Sequence, residues 1–265
     1  MPHKTLNKQK IFAEDALYSS YDLSELNDDE ITSFFTSGSI DAYCTKCKKR
    51  SVFRLNDDTF SYNKEKSQVT KFGLITVKAK CTRENHNELL NRLGNCDNIF
   101  YAIFKRYSND LLKIGQYPSK GDMDFGELDD SYKELPDYLR TELGTSIGLY
   151  AHGVGIGAFV YLRRIFEILL EEAHQIAKKE EKWEEDKYIK SRVTERIQLL
   201  SKFLPTRLVQ SANLYGVLSK GLHELSEEEC KSHYTLVRQA IQLILKQKHE
   251  DKEYDKVVNK INNIN

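Results

Sequence analysis

The sequence predicts an α+β protein: an N-terminal antiparallel β-domain over residues 1–125, followed by an α-helical bundle over 126–265. Three observations carry this. The apolar period changes from two to three-and-four partway along the chain, four of the five cysteines fall between positions 44 and 96, and the basic excess sits in the same early stretch. At 265 residues there is room for one large domain or two small ones, each with a core.

The chain opens on what reads as an irregular leader. "DDEITSFFTSG" then reads as a short helix ending at Gly38. In "KFGLITVKAKC", Leu74, Thr76 and Lys78 alternate with Ile75, Val77 and Ala79, which predicts a strand with two distinct faces. "NIFYAIFKRYSNDLLKIGQYPS" predicts a hairpin turning at Ser108-Asn109-Asp110, with Pro118 stopping its second strand. "GDMDFGELDD" reads as the linker.

Beyond it the period is helical. Phe159, Leu162, Phe166, Leu169, Ala173 and Ile176 form one apolar stripe, and Tyr234, Val237, Ile241 and Ile244 form another. Between them Ile189, Val193, Ile197, Leu200 and Leu204 form a third, ended by Pro205. "KEEKWEEDKY" reads as a charged connection holding the single tryptophan, Trp183. Burying one large apolar side chain contributes roughly 1.5–3 kcal/mol before entropy, so several stripes together can support a bundle.

Acidic and basic residues balance at 40 each, so net charge selects no partner. Locally, Cys44 to Arg83 holds eleven Lys/Arg against Asp57, Asp58 and Glu65, and 11 − 3 leaves +8. Lys46, Lys48, Lys49 and Arg50 are the densest part. Such a surface suits phosphate, and RNA or DNA is the partner it suggests; solvated lysines are the other meaning. The first twenty residues hold no signal-length apolar run, and the longest run elsewhere, "VGIGAFVYL", is nine residues. That is too short to cross a bilayer, so no membrane association and a cytoplasmic location are expected.

"AYCTKCKKRSVF" carries the strongest chemical signal. Cys44 and Cys47, two residues apart, can reach one tetrahedral zinc from a tight turn, and a second pair must close the site. Cys81 ends the strand "LITVKAKC" and supplies a third ligand. The fourth is Cys96, just before the strand "NIFYAIF", or His86, five residues past Cys81. Four protein ligands leave no position for water, so the zinc is read as structural, in a zinc ribbon-like module.

Other signals carry less. Gly153, Gly155 and Gly157 lack the spacing, the preceding strand and the βαβ context of a dinucleotide site, so no dinucleotide cofactor is expected. They suit a helix that starts close against a neighbour, with His152 at the junction. Cys230 reads as a small core residue. Arg163 and Arg164 read as salt-bridged helix residues or as anion contacts.

The helical half resembles the HEPN-related group of bacterial helical domains found with defence, restriction and prophage proteins. "AFVYLRRIFEILLEEA" (158–173), "RVTERIQLLSKFLP" (192–205) and "LYGVLSKGLHELSEEEC" (214–230) carry the likeness. With "LLKIGQYPS" and the upstream cysteines, the chain resembles a zinc-ribbon-plus-helical family. The resemblance implies an HEPN-like bundle, a homodimer formed through it, and binding of nucleic acid or protein in antiviral defence or mobile-element biology.

Active HEPN ribonucleases place an arginine four to six residues ahead of a histidine, and the two act around an attacking 2′-hydroxyl. Before His223 the residues are Gly216, Val217, Leu218, Ser219, Lys220, Gly221 and Leu222, with no arginine. The enzyme alternative is therefore an atypical metal-independent ribonuclease pairing His223 with Arg163 or Arg164. Ser226 and Glu229 form a capping-box pattern, which explains the acidic run as a helix start and leaves His223 in the loop before it, with Gly221 easing the turn.

Overall fold

The computed structural model describes residues 6–55, 71–87, 92–128 and 132–264. Two compact units are present: Met1–Glu127 with Ala151–Gly153, and Leu128–Tyr150 with Val154–Asn265. The fold is α+β, an antiparallel sheet in the first unit and helices in the second.

In the first unit six strands form one antiparallel sheet in the order β1-β8-β7-β4-β3-β2. They are β1 (Ser20–Asp22), β2 (Ser39–Cys44), β3 (Lys49–Leu55), β4 (Phe72–Cys81), β7 (Ile99–Tyr107) and β8 (Asp110–Tyr117). A separate hairpin pairs β5 (Glu84–Asn87) with β6 (Arg92–Asn95). The alternation expected in β4 is present: Ile75, Val77, Ala79 and Cys81 are buried, while the residues between them face outward. The β7–β8 hairpin closes through Ser108 and Asn109, Ser108 taking the left-handed φ of 56° that a two-residue turn demands.

The buried side of the sheet is covered by α1 (Asp28–Thr36) and by a single π-helical turn, Lys10–Glu14. Asn27 caps α1 by accepting from the N–H of Asp29 and Glu30, and Gly38 at φ 88° turns the chain out of it. Phe12, Phe35 and Phe104 pack ring against ring, with centroids 5.5 to 6.0 Å apart. The leader is thus not irregular: Ile11, Phe12 and Ala13 are core residues, in a run too short to show a period. Lys113 is fully buried and donates to the carbonyls of Phe12 and Asp15, each at 2.8 Å. Burial, helped by Lys120, brings its pKa down to about 7. The expected linker also starts late. Lys120–Gly126 is a helix, α2, capped by Ser119 and buried at Met123.

The second unit contains α3 (Asp137–Ala151), α4 (Gly155–Ala177), α5 (Glu185–Lys190), α6 (Val193–Leu199), α7 (Thr206–Gln210), α8 (Asn213–His223) and α9 (Glu227–Asn262). The stripe on α4 is buried from Phe159 to Ala173, with Ile176 exposed, and Tyr234, Val237, Ile241 and Ile244 of α9 are buried. The Tyr234 ring stacks on Tyr150 at 4.0 Å, its hydroxyl lies 3.1 Å from Ser146 Oγ, and Ser146 donates to the Ala158 carbonyl. These buried hydroxyls are satisfied, as a core requires.

Glycines permit the closest helix approaches. A Cβ on Gly155 would lie 2.9 Å from the Lys231 nitrogen, and one on Gly221 would lie 2.3 Å from the Phe159 ring. Gly221 therefore serves packing inside α8 and eases no turn. The capping box at Ser226 and Glu229 is present. Glu227 does more than face its own helix dipole: its carboxylate accepts from the N–H of Gly155 and Ile156, capping α4. The middle stripe is divided between α5 and α6, which break at Ser191, so Ile189 is exposed while Ile197 and Leu200 are buried. The charged connection is also held in place. Trp183 donates to Glu185 at 2.7 Å, and His174, 2.9 Å from the same carboxylate, stacks on Tyr188.

Candidate metal centre

Four strand ends meet at one end of the sheet. β2 finishes at Cys44, a turn carries Cys47, and Lys48 at φ 52° reverses the chain into β3. β4 finishes at Cys81, whose N–H donates to the Asn98 carbonyl at 3.0 Å. The β5–β6 excursion returns at Cys96, where the N–H of Cys96 donates to the Arg83 carbonyl at 2.8 Å. Regular strand pairing thus delivers Cys44 and Cys81, because the residue that ends a strand is fixed by the ladder behind it, while a turn carries Cys47 and backbone hydrogen bonding holds Cys96.

The ligand atoms of Cys44, Cys47, Cys81 and Cys96 all lie within 4.8 Å of one another. Cys44 and Cys96 sulfurs are 3.8 Å apart, and those of Cys47 and Cys81 are 4.0 Å apart. Tetrahedral zinc with Zn–S bonds of ~2.3 Å requires sulfur separations of about 3.8 Å, close to both. A disulfide needs ~2.05 Å, and all four cysteines are free. Cys96 is thus the fourth sulfur of the cluster, in a geometry compatible with zinc. His86 lies in β5, opposite Leu93, and its side chain is outside the described part of the structure.

The surroundings favour thiolate at Cys44. The Cys47 N–H approaches Cys44 Sγ at 3.4 Å, and Asn98 Nδ2 donates to it at 3.2 Å. Burial raises the Cys44 pKa, but these donors and the Lys46 backbone outweigh it and bring the thiol to about 7. Burial holds Cys81 up, and burial with the neighbouring Cys47 and Cys44 thiols pushes Cys96 up to about 12. Burial thus works against the charged form of Cys81 and Cys96. A divalent ion held there would offset that penalty by binding the cysteines as thiolates. Lys46 and Asp97 form an ion pair between the two turns.

Of the residues singled out for binding, Lys46, Lys48, Lys49 and Arg50 are all exposed beside the cysteines, with Arg50 3.7 Å from Glu127. Lys64, Lys66, Asp57, Asp58 and Glu65 lie outside the described residues. The two arginine candidates are engaged with other side chains. Arg163 donates to Glu167 at 2.8 Å and to the Tyr215 hydroxyl at 3.0 Å, and Arg164 pairs with Glu142 at 2.9 Å. His223 is the exposed last residue of α8 rather than a loop residue, eight positions beyond Tyr215. At 1.5 Å per residue that is ~12 Å along the helix. Cys230 is buried beside the Gly221 carbonyl, the core role expected of it.

Sequence reading missed the sheet's outer face. The register sets Arg54 beside Lys80, Lys78 beside Tyr101 and Tyr101 beside Tyr117. Farther along it pairs Leu74 with Lys105 and Phe72 with Tyr107. Phe72, Tyr107 and Tyr117 are each more than 60% exposed, at 61%, 67% and 63%, and the Lys78 ammonium lies 5.9 Å from the Tyr101 ring centre. Each strand shows the polar–aromatic alternation alone, but only pairing puts the cations and rings on one surface. No family model matches the chain, no curated protein is similar to it, and no solved structure matches it.

Proposed function

We propose that the protein binds single-stranded nucleic acid on the outer face of its sheet, with one structural zinc in the four-cysteine centre of a ribbon-like module. The observation that carries the reading is the interleaving of Arg54, Lys78, Lys80 and Lys105 with the Tyr101, Tyr107, Tyr117 and Phe72 rings on that face. Cations at strand spacing contact phosphates, while exposed rings stack unpaired bases, at about 1–3 kcal/mol per base. Rings on a sheet face require bases free of a duplex, which favours single strands. Lys46, Lys48, Lys49 and Arg50 extend the positive surface toward the metal end. The helical unit enters as an HEPN-like module through its sequence likeness, and the defence or mobile-element setting comes with it.

Binding of labelled single-stranded RNA and DNA by fluorescence anisotropy, across a salt series, tests this. Affinity is expected to fall with salt, to fall about tenfold in Tyr101→Ala, and to lose slope in Lys78→Ala with Lys80→Ala. Duplex is expected to bind more weakly. No binding at low salt contradicts the proposal and points to a protein partner instead. RNA recovered shortened, with the loss abolished by His223→Ala, points to the ribonuclease reading.

A further inference from the structure

α9 is 36 residues long and carries two apolar seams. One, Cys230, Tyr234, Val237, Ile241 and Ile244, is buried in its own unit. The other runs Leu236, Ala240, Leu243, Gln247, Glu250, Tyr254, Val257, Ile261, in steps of 4, 3, 4, 3, 4, 3 and 4. This is the heptad spacing by which one helix packs along another, sustained for about three and a half heptads and ~37 Å. Leu236, Leu243, Tyr254, Val257 and Ile261 are exposed, from 48% at Leu243 to 71% at Leu236. From Glu250 to Asn262 almost every residue of the helix is exposed. A helical end with apolar residues outward gains most of its stability from a partner helix.

The order of residue types in the seam selects that partner. Three apolar positions, Gln247 and Glu250, then three apolar positions read the same in both directions. We infer that two copies of the chain pair antiparallel through this seam of α9. Leu236 then lies opposite the partner's Ile261, Ala240 opposite the partner's Val257, and Leu243 opposite the partner's Tyr254. At the centre Gln247 meets the partner's Glu250. The Gln247 carbonyl oxygen accepts from the Arg207 N–H at 2.8 Å, so its NH₂ is the group that donates to the carboxylate.

One flank of the seam holds an opposite-charge pair. Lys246 falls opposite the partner's Glu253, and Gln239 opposite the partner's Lys260, each twice by symmetry. A parallel pair would instead set Glu250 against the partner's Glu250 inside the seam, a like-charge contact. Each copy's exposed helix end packs along the inner half of the other's seam. The inference is independent of the nucleic-acid proposal.

Sedimentation velocity on the full-length protein tests it. A dimer at micromolar concentration is expected. Val257→Glu with Ile261→Glu is expected to raise the dissociation constant about a hundredfold or more, with helical circular dichroism retained. Leu236→Glu, at the far end of the seam, must weaken the same dimer, since its contact is the partner's Ile261. That variant keeps the test informative if the double one loses helix. Lys246→Glu alone should weaken association, and Lys246→Glu with Glu253→Lys should restore it. A wild-type monomer, a dimer indifferent to both sets of glutamates, or failure of the charge swap to restore affinity would each overturn the antiparallel pairing.

Discussion

The sheet unit and the helical unit are held together by different chemistry. In the sheet unit four cysteines sit where β2, β4 and β7 end or begin, and the outward face is given to cations and rings. Among the described residues, the helical unit gathers no such cysteine centre at its core. Its long stripes on α4 and α9 pack around the Tyr234–Ser146 contact, with Gly155 letting the α9 backbone approach α4 and Gly221 of α8 making room for the Phe159 ring. A unit whose strand ends gather four cysteines, fixed by zinc in the proposed function, can leave one face of its sheet for a ligand. A unit held by apolar stripes uses its inward helix faces for stability, and only the extra seam of α9 remains.

The largest expected break in this contrast comes from Cys44→Ser. Removing one thiolate should forfeit most of the ~10–16 kcal/mol that structural zinc supplies, melting the sheet unit. The single tryptophan, Trp183, lies in the helical unit, so its fluorescence should report an unfolding transition close to that of the wild type. Phe159→Ala should do the reverse. It removes a fully buried ring from α4, at a cost of about 3–5 kcal/mol in the Trp183-detected transition, with bound zinc unchanged.

Gly221→Ala sharpens the comparison through its sign. Helix propensity alone favours alanine by ~1 kcal/mol, but the new Cβ meets Phe159, and overpacking of this kind costs about 1–3 kcal/mol. Denaturant unfolding should therefore show a net loss in the helical unit only. Ser226→Ala is the smallest change, about 1 kcal/mol from the lost cap of α9, read in the same transition.

Elements with a long period or a sharp turn were legible in the sequence. The two-faced β4, the β7–β8 hairpin, α1 ending at Gly38 and the buried stripes of α4 and α9 all follow from side-chain spacing. The cysteines were legible because C-x-x-C is a local signal and Cys81 and Cys96 bracket predicted strands. What stayed hidden depends on contacts across the chain. Ile11 and Phe12 lie in a turn too short to show a period, and Ser191 divides a stripe that reads as continuous. Gly221 looks like a turn residue until Phe159 is set against it. The sheet's outer face needed the register, since Lys78 and Tyr117 are far apart in sequence and belong to one row only through Tyr101.

The most direct measurement is a chelator titration of the purified protein, with zinc content, tyrosine-region circular dichroism and Trp183 fluorescence followed together. One zinc per chain should be released, the dichroism of the sheet unit should collapse with it, and Trp183 emission should stay constant. Absence of stoichiometric metal from an intact sheet unit, or loss of the tryptophan signal in step with the zinc, would contradict the account.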